Sequence, residues 1–214
     1  HTLTNFNLYI SNEGVVFTVN SGENGGMIYD GFSVPETADS PTGYLLSVWN
    51  GAEAIINGGN YESNIFACFY AYKGTITING GSMEVVSSSI NSSYNPDYNR
   101  FTLNLLDANG KNGTANIIVN GGSFVNYDPT QSNSENPVKN FVAPGKGVER
   151  TETSGNYVYT VVDATTVTTA EELRTAMNNG DAVILKYLEH FPAETNLRVH
   201  HRLFDRDRGK PVCS

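Results

Sequence analysis

The sequence predicts an all-β fold: a coiled stack of short parallel strands, with a small mixed α/β appendage at its C-terminal end. Three observations carry this expectation. A short β-branched segment ending in Asn-Gly-Gly recurs along the chain, a second strand family lies between its copies, and the texture of the sequence changes after residue 162. The expected division is a strand stack with a terminating hairpin over 1–162 and an appendage of helix, strand and polar tail over 163–214.

The clearest copies of the repeat are Ile55-Ile56-Asn57-Gly58-Gly59, Ile76-Thr77-Ile78-Asn79-Gly80-Gly81 and Ile118-Val119-Asn120-Gly121-Gly122. Weaker versions surround Asn5 and Asp30. Anchored on the Asn or Asp, the copies sit 25, 27, 22 and 41 residues apart. A repeat of 20 to 50 residues is the mark of a solenoid. The second family runs Val16 to Gly22, Leu45 to Gly51, Phe66 to Gly74 and Phe101 to Asp107, so each turn of the stack holds at least two strands. The long last interval is explained by Ser87 to Asn99, a Ser/Asn/Pro-containing insertion with almost no apolar content.

Within the repeat, Ile76 and Ile78 are expected to point inward and Thr77 outward, as the two-residue period of a strand requires. Tyr61, Met83 and Phe124 resume the inward side after the turn. Gly-Gly allows the positive-φ corner that a Cβ resists, and the preceding Asn can bond to nearby backbone. In stacked turns Asn57, Asn79 and Asn120 are expected to form a structural ladder of side-chain amides, one step per strand spacing of about 4.8 Å. Asn-Gly is also a strong hairpin signal, so an antiparallel meander is the alternative arrangement.

Val148 to Val162 reads as two strands around a Ser154-Gly155-Asn156 turn, a natural ending for a stack whose edge would otherwise stay unpaired. Thr169 followed by Glu172 has the form of a capping box. Leu173, Ala176 and Met177 then make a helical stripe, Gly180 a stop, and Val183 to Leu185 a strand. Residues 190–214 match nothing earlier and read as a mixed-charge tail, an oligomer contact or foreign sequence.

Composition narrows the classes. The 214 residues carry a net charge of −9, and residues 1–162 hold 6 Lys+Arg against 14 Asp+Glu. That balance opposes nucleic-acid binding and anionic membranes, and it suits neutral glycans. The lack of a long apolar run predicts no membrane insertion. The chain opens in strand-like sequence without a signal peptide, and is expected to be a fragment or processed product. Cys68 reads as a small buried hydrophobe; a bridge to Cys213 is the other option.

The segments Thr114 to Pro129, Asn140 to Gly145 and Gly155 to Val161 resemble the closing turns of right-handed parallel β-helix proteins of gut Bacteroides-type bacteria and their phages. The resemblance covers roughly residues 1–162. It implies a tail fibre, tailspike or cell-surface protein, located outside the cell on a virion or bacterial surface, and by analogy a homotrimer. Pectate-lyase or pectinase motifs are not evident, so it assigns no catalytic residue.

Candidate chemistry is sparse. Glu62 and Glu84 each follow their anchoring Asn by five residues, which places them on neighbouring strands at a spacing compatible with a retaining glycosidase pair. The bland reading is two solvated carboxylates. Trp49, Tyr61, Tyr70 and Tyr72 offer aromatic surfaces, about half of which belong in a core. Tyr94 and Tyr98 lie in the polar insertion and are the expected ligand-binding residues. His190, His200 and His201 lack metal-site spacing, so neither metal nor cofactor is expected. The sequons at Asn91 and Asn112 are read as chance matches. The leading expectation is a structural and recognition protein that binds cell-surface polysaccharide. A β-helix polysaccharide lyase or glycoside hydrolase is the alternative, and a spacer without ligand is the third.

Overall fold

The structure, a computed structural model, describes residues 2–4, 8–21, 27–30, 44–63, 67–85, 101–132 and 134–185, with backbone alone for 2–4 and 27–30. After β1 (Thr2–Thr4) the chain makes four passes over three sheets. The first pass is β2 (Leu8–Ser11), β3 (Val16–Val19) and β4 (Met27–Asp30). The second is β5 (Tyr44–Trp49), β6 (Ala52–Ile56) and β7 (Asn60–Ser63). The third is β8 (Ala67–Ala71), β9 (Gly74–Ile78) and β10 (Ser82–Val85). The fourth is β11 (Leu103–Leu105), β12 (Ala115–Val119) and β13 (Gly122–Val125), with a one-turn helix α1 (Asp107–Lys111) before β12.

Each pass adds one strand to each sheet. The first sheet runs β1-β4-β7-β10-β13, the second β2-β5-β8-β11 and the third β3-β6-β9-β12, and these pairings are all parallel. The fold is therefore all-β with parallel sheets, and the antiparallel meander is not formed over these passes. Alternation decides what is buried. Ile76 and Ile78 are fully buried with Thr77 between them half-exposed, and Tyr61, Met83 and Phe124 are buried one strand later. With Leu46, Val48, Phe69 and Val119 they form one core, and each fully buried side chain of this size stabilises by roughly 1.5–3 kcal/mol.

Two assignments from the sequence are corrected. Val16 to Val19 belongs with the Asn-Gly-Gly strands: β3 pairs with β6, Val19 opposite Ile56, so the first anchor is Asn20. Asp30 lies opposite Ser63 in the first sheet and is not equivalent to Asn57; Asn5 falls outside the described residues. The cause is spacing. Six residues separate Asn20 from Met27, where two separate Asn57 from Asn60, and register is fixed by hydrogen bonds between strands, not by counting along the chain.

Both glycines of the corner have a structural reason. Gly59, Gly81 and Gly122 take φ of +105°, +106° and +104°. At Gly58, Gly80 and Gly121 an added Cβ would lie within 3.0 Å of a group on the preceding pass, namely Ser21 Oγ, Asn57 O and Asn79 O. One glycine turns the chain and the other lets the passes touch.

After the fourth pass each sheet is closed differently. On the first, β15 (Asn156–Asp163) pairs antiparallel with β13 and with β14 (Lys146–Thr153), joined by Ser154 and Gly155 at positive φ. On the third, Val142 makes a single parallel bridge to Val119. On the second, side chains replace a strand. Glu135 accepts from the Leu105 N–H, while Ser134 and Tyr127 hydroxyls donate to the Leu103 carbonyl. The appendage pairs β16 (Thr165–Val167) with β17 (Val183–Leu185) in parallel, linked by α2 (Ala170–Asn179). The Thr169–Glu172 capping box and a left-handed Gly180 bound that helix.

Candidate functional site

The outward side chains of the second sheet form the most distinctive surface. Tyr9 is opposite Ser47 and Ser47 opposite Tyr70, so outward residues of three passes line up across β2, β5 and β8. Trp49 and Tyr72 stack at 3.8 Å, and Tyr9 tilts over Trp49 at 5.4 Å. Tyr44 stacks on Tyr70 at 4.2 Å, and Tyr70 meets Trp49 and Tyr72 edge-on. Burial raises the Tyr44 and Tyr70 phenols above their ordinary range, with neighbouring tyrosines adding to it, so both stay neutral hydroxyls. Ser11, Ser47 and Asn104 put polar groups among the rings. The Trp49 Nε1–H is buried and finds no acceptor among the described residues. Tyr9 is 58% exposed, with its outer ring surface open. Tyr61, by contrast, is a core residue: it donates to the Gly58 carbonyl at 2.7 Å, and its phenol is pushed up to about 12 by burial, with Cys68 adding to it.

Glu62 and Glu84 are brought together. They are direct register partners on β7 and β10, both half-exposed on the outward side, between inward Tyr61 and Ser63 on one strand and Met83 and Val85 on the other. Partial desolvation, then the charge of Glu84, raises the Glu62 carboxyl above its ordinary value. The next strand presents Val125 at this position. Cys68 is free and buried behind the pair, its Sγ donating to the Glu84 carbonyl at 3.4 Å.

Asn79 Nδ2 donates to Asn57 Oδ1 at 2.8 Å and Asn120 Nδ2 to Asn79 Oδ1 at 2.9 Å; Asn57 continues the line to Asn20 at 2.7 Å. Sequence reasoning missed Asn20 because no Gly-Gly follows it. Tyr94 and Tyr98 lie outside the described residues, as do His190, His200, His201 and Cys213. Among the described residues no group of three or more His, Cys, Asp or Glu is placed to hold a metal, and no helix is long and apolar enough to cross a membrane.

Sequence reasoning also missed Glu135. It is 3% exposed. Its Oε1 accepts from Leu105 N and Ser134 Oγ, while Oε2 is buried without a partner among the described residues. Burial drives its carboxyl upward, against those two hydrogen bonds, and Asp107 adds to the rise while Lys139 opposes it. The site closes a sheet edge and presents no open surface.

Compared with known proteins, the chain matches no family model, no curated protein and no solved structure.

Proposed function

We propose that the three parallel sheets are the faces of a right-handed parallel β-helix, and that the protein is a structural and recognition element binding cell-surface polysaccharide. A phage fibre or spike component, or a bacterial surface adhesin, is the setting this reading implies. The carrying observation is the aromatic outer face of the second sheet. Rings at Tyr9, Trp49 and Tyr72 supply apolar surface for the C–H faces of sugars, and the phenols and Asn104 supply hydrogen-bonding groups for their hydroxyls. The net charge of −9 favours a neutral glycan over an anionic one.

Incubation with bacterial-surface and plant polysaccharides tests this, reading retained protein and released sugar ends together. Retention without release is expected, and it is expected to weaken at least tenfold in a Tyr9→Ala/Trp49→Ala variant, about 1.4 kcal/mol. No retention on any neutral polysaccharide leaves the spacer role. A second reading has its own observation, the in-register Glu62–Glu84 pair, whose strands lie about 4.8 Å apart. A retaining glycosidase uses such a pair as acid and nucleophile. Release of sugar ends that disappears in Glu84→Gln would install it.

A further inference from the structure

Asparagine is a chemically labile residue, most of all before glycine, whose bare Cα leaves the backbone nitrogen open to reach the side-chain carbonyl. The chain has eight Asn-Gly pairs, of which Asn24-Gly25 lies outside the described residues. Three conditions decide which of the others reacts. The glycine N–H must be free to attack, the Asn Nδ2 must be free to leave, and Oδ1 must be stabilised as charge builds on it. At Asn50, Asn109 and Asn179 the following glycine N–H is already bonded, to Lys73 O, Leu106 O and Met177 O. At Asn57, Asn79 and Asn120 the Nδ2 is held in the amide line. Asn112 meets all three conditions. Among the described residues neither the Gly113 N–H nor the Asn112 Nδ2 has a partner, while Oδ1 accepts from Thr114 Oγ1 at 2.6 Å and from Thr114 N at 3.0 Å. Asn112 is exposed, and an added Cβ at Gly113 would meet nothing within 4 Å, so no neighbour resists rotation of that peptide.

We propose that Asn112 is a self-modification site, converted by its own turn into aspartate and isoaspartate with loosening of the corner it occupies. The Gly113 nitrogen loses its proton and bonds to Asn112 Cγ, and the two Thr114 donors hold the negative charge that forms on Oδ1. The Cγ–Nδ2 bond then breaks, and ammonia leaves with the proton that Gly113 gave up. Water opens the resulting cyclic imide at either carbonyl. Opening at Cγ leaves aspartate. Opening at the main-chain carbonyl leaves the backbone running through Cγ, one carbon longer, as isoaspartate. Water enters and ammonia departs, so the step needs no other reactant. Two residues on, the Thr114 carbonyl accepts from Gly74 N at 2.8 Å, and Ala115 stands opposite Gly74. The longer backbone therefore loosens the entry of β12 against the third pass. The proposal uses the chemistry of one corner and not glycan binding, so the two readings fail separately.

Peptide mapping by mass spectrometry of the 214-residue chain, incubated in mildly alkaline buffer, tests it. Replacement of the amide NH2 by OH is expected at Asn112 roughly tenfold faster than at Asn57, Asn79 or Asn120, with both aspartate and isoaspartate formed. Thr114→Val removes one of the two donors and is expected to slow the conversion by roughly tenfold, less than at a water-excluded oxyanion hole because this corner is exposed. Thr114→Ser keeps the hydroxyl and the rate. In urea the ranking is expected to vanish, with all eight pairs reacting at similar rates. The modified chain is expected to exchange its Gly74 amide faster than the fresh chain. Equal rates at Asn112 and the amide-line asparagines in the folded chain, an unchanged rate in Thr114→Val, a ranking that survives in urea, or a Gly74 amide that ignores the modification would each overturn the proposal.

Discussion

At Gly74 the chain has room for a hydrogen and nothing larger. Its φ is +142°, and an added Cβ would lie 2.2 Å from the Ala52 carbonyl oxygen, a backbone atom of the neighbouring strand. Gly74→Ala combines a disfavoured backbone with a clash that cannot swing away. It is expected to cost roughly 3 kcal/mol, read as a lower urea midpoint at unchanged slope. Glu135 sets a pH dependence with an unusual sign. Its carboxyl is raised in the folded state above the ordinary 4.5. The folded chain therefore holds a proton that the unfolded chain has released. That stabilisation is complete below about pH 4.5 and fades as pH rises through the raised value. Glu135→Gln keeps an acceptor for the Leu105 N–H and removes the titration, so the decline of the unfolding midpoint as pH rises above about 4.5 is expected to flatten. Glu62, raised in the same direction, leaves a residual slope of the same sign. The sequence held no sign of this. Ser134 and Glu135 sit in a polar run, and their burial comes from the edge of β11, thirty residues earlier in the chain.

Among the elements, the strands of the repeat were legible because inward and outward residues differ in chemistry at every step, as at Ile76, Thr77 and Ile78. Register was legible only where Gly-Gly marked the corner. Asn20 shows the limit: its corner lacks the paired glycine and the next strand is delayed, so nothing local announces that it stands beside Asn57. The aromatic face was legible as single residues, but which rings meet depends on strand pairing, and Trp49 against Tyr72 appears only once β5 and β8 are aligned. The amide line gives a position-dependent prediction. Asn79 serves as both donor and acceptor in it, whereas Asn20, among the described residues, only accepts. Asn79→Ala is expected to cost about 1–2 kcal/mol and Asn20→Ala about half that, by thermal unfolding. α2 stands apart from this network. Its capping box ties Thr168, Thr169 and Glu172 together, and its buried residues form a small cluster of their own with Val167. Thr169→Ala is expected to cost about 1 kcal/mol, appearing as faster amide exchange over α2 with β5 to β13 unchanged.

For the whole molecule, stability is shared among passes that touch mainly their neighbours, and the fourth pass is followed on its three sheets by a hairpin, a single bridge and a carboxylate cluster.

The interchangeable corners carry a consequence for evolution. Every Asn-Gly-Gly corner meets the same chemistry before and after it, so the molecule behaves as a ruler with movable graduations. Excising residues 57–78 removes β7, β8 and β9 and sets Asn79 where Asn57 stood, beside Asn20, with both ends untouched. Such a shortened chain is expected to fold, with its circular dichroism retained and its length reduced by one strand spacing of about 4.8 Å. Reach is thus a quantity that a single in-frame deletion or duplication can reset.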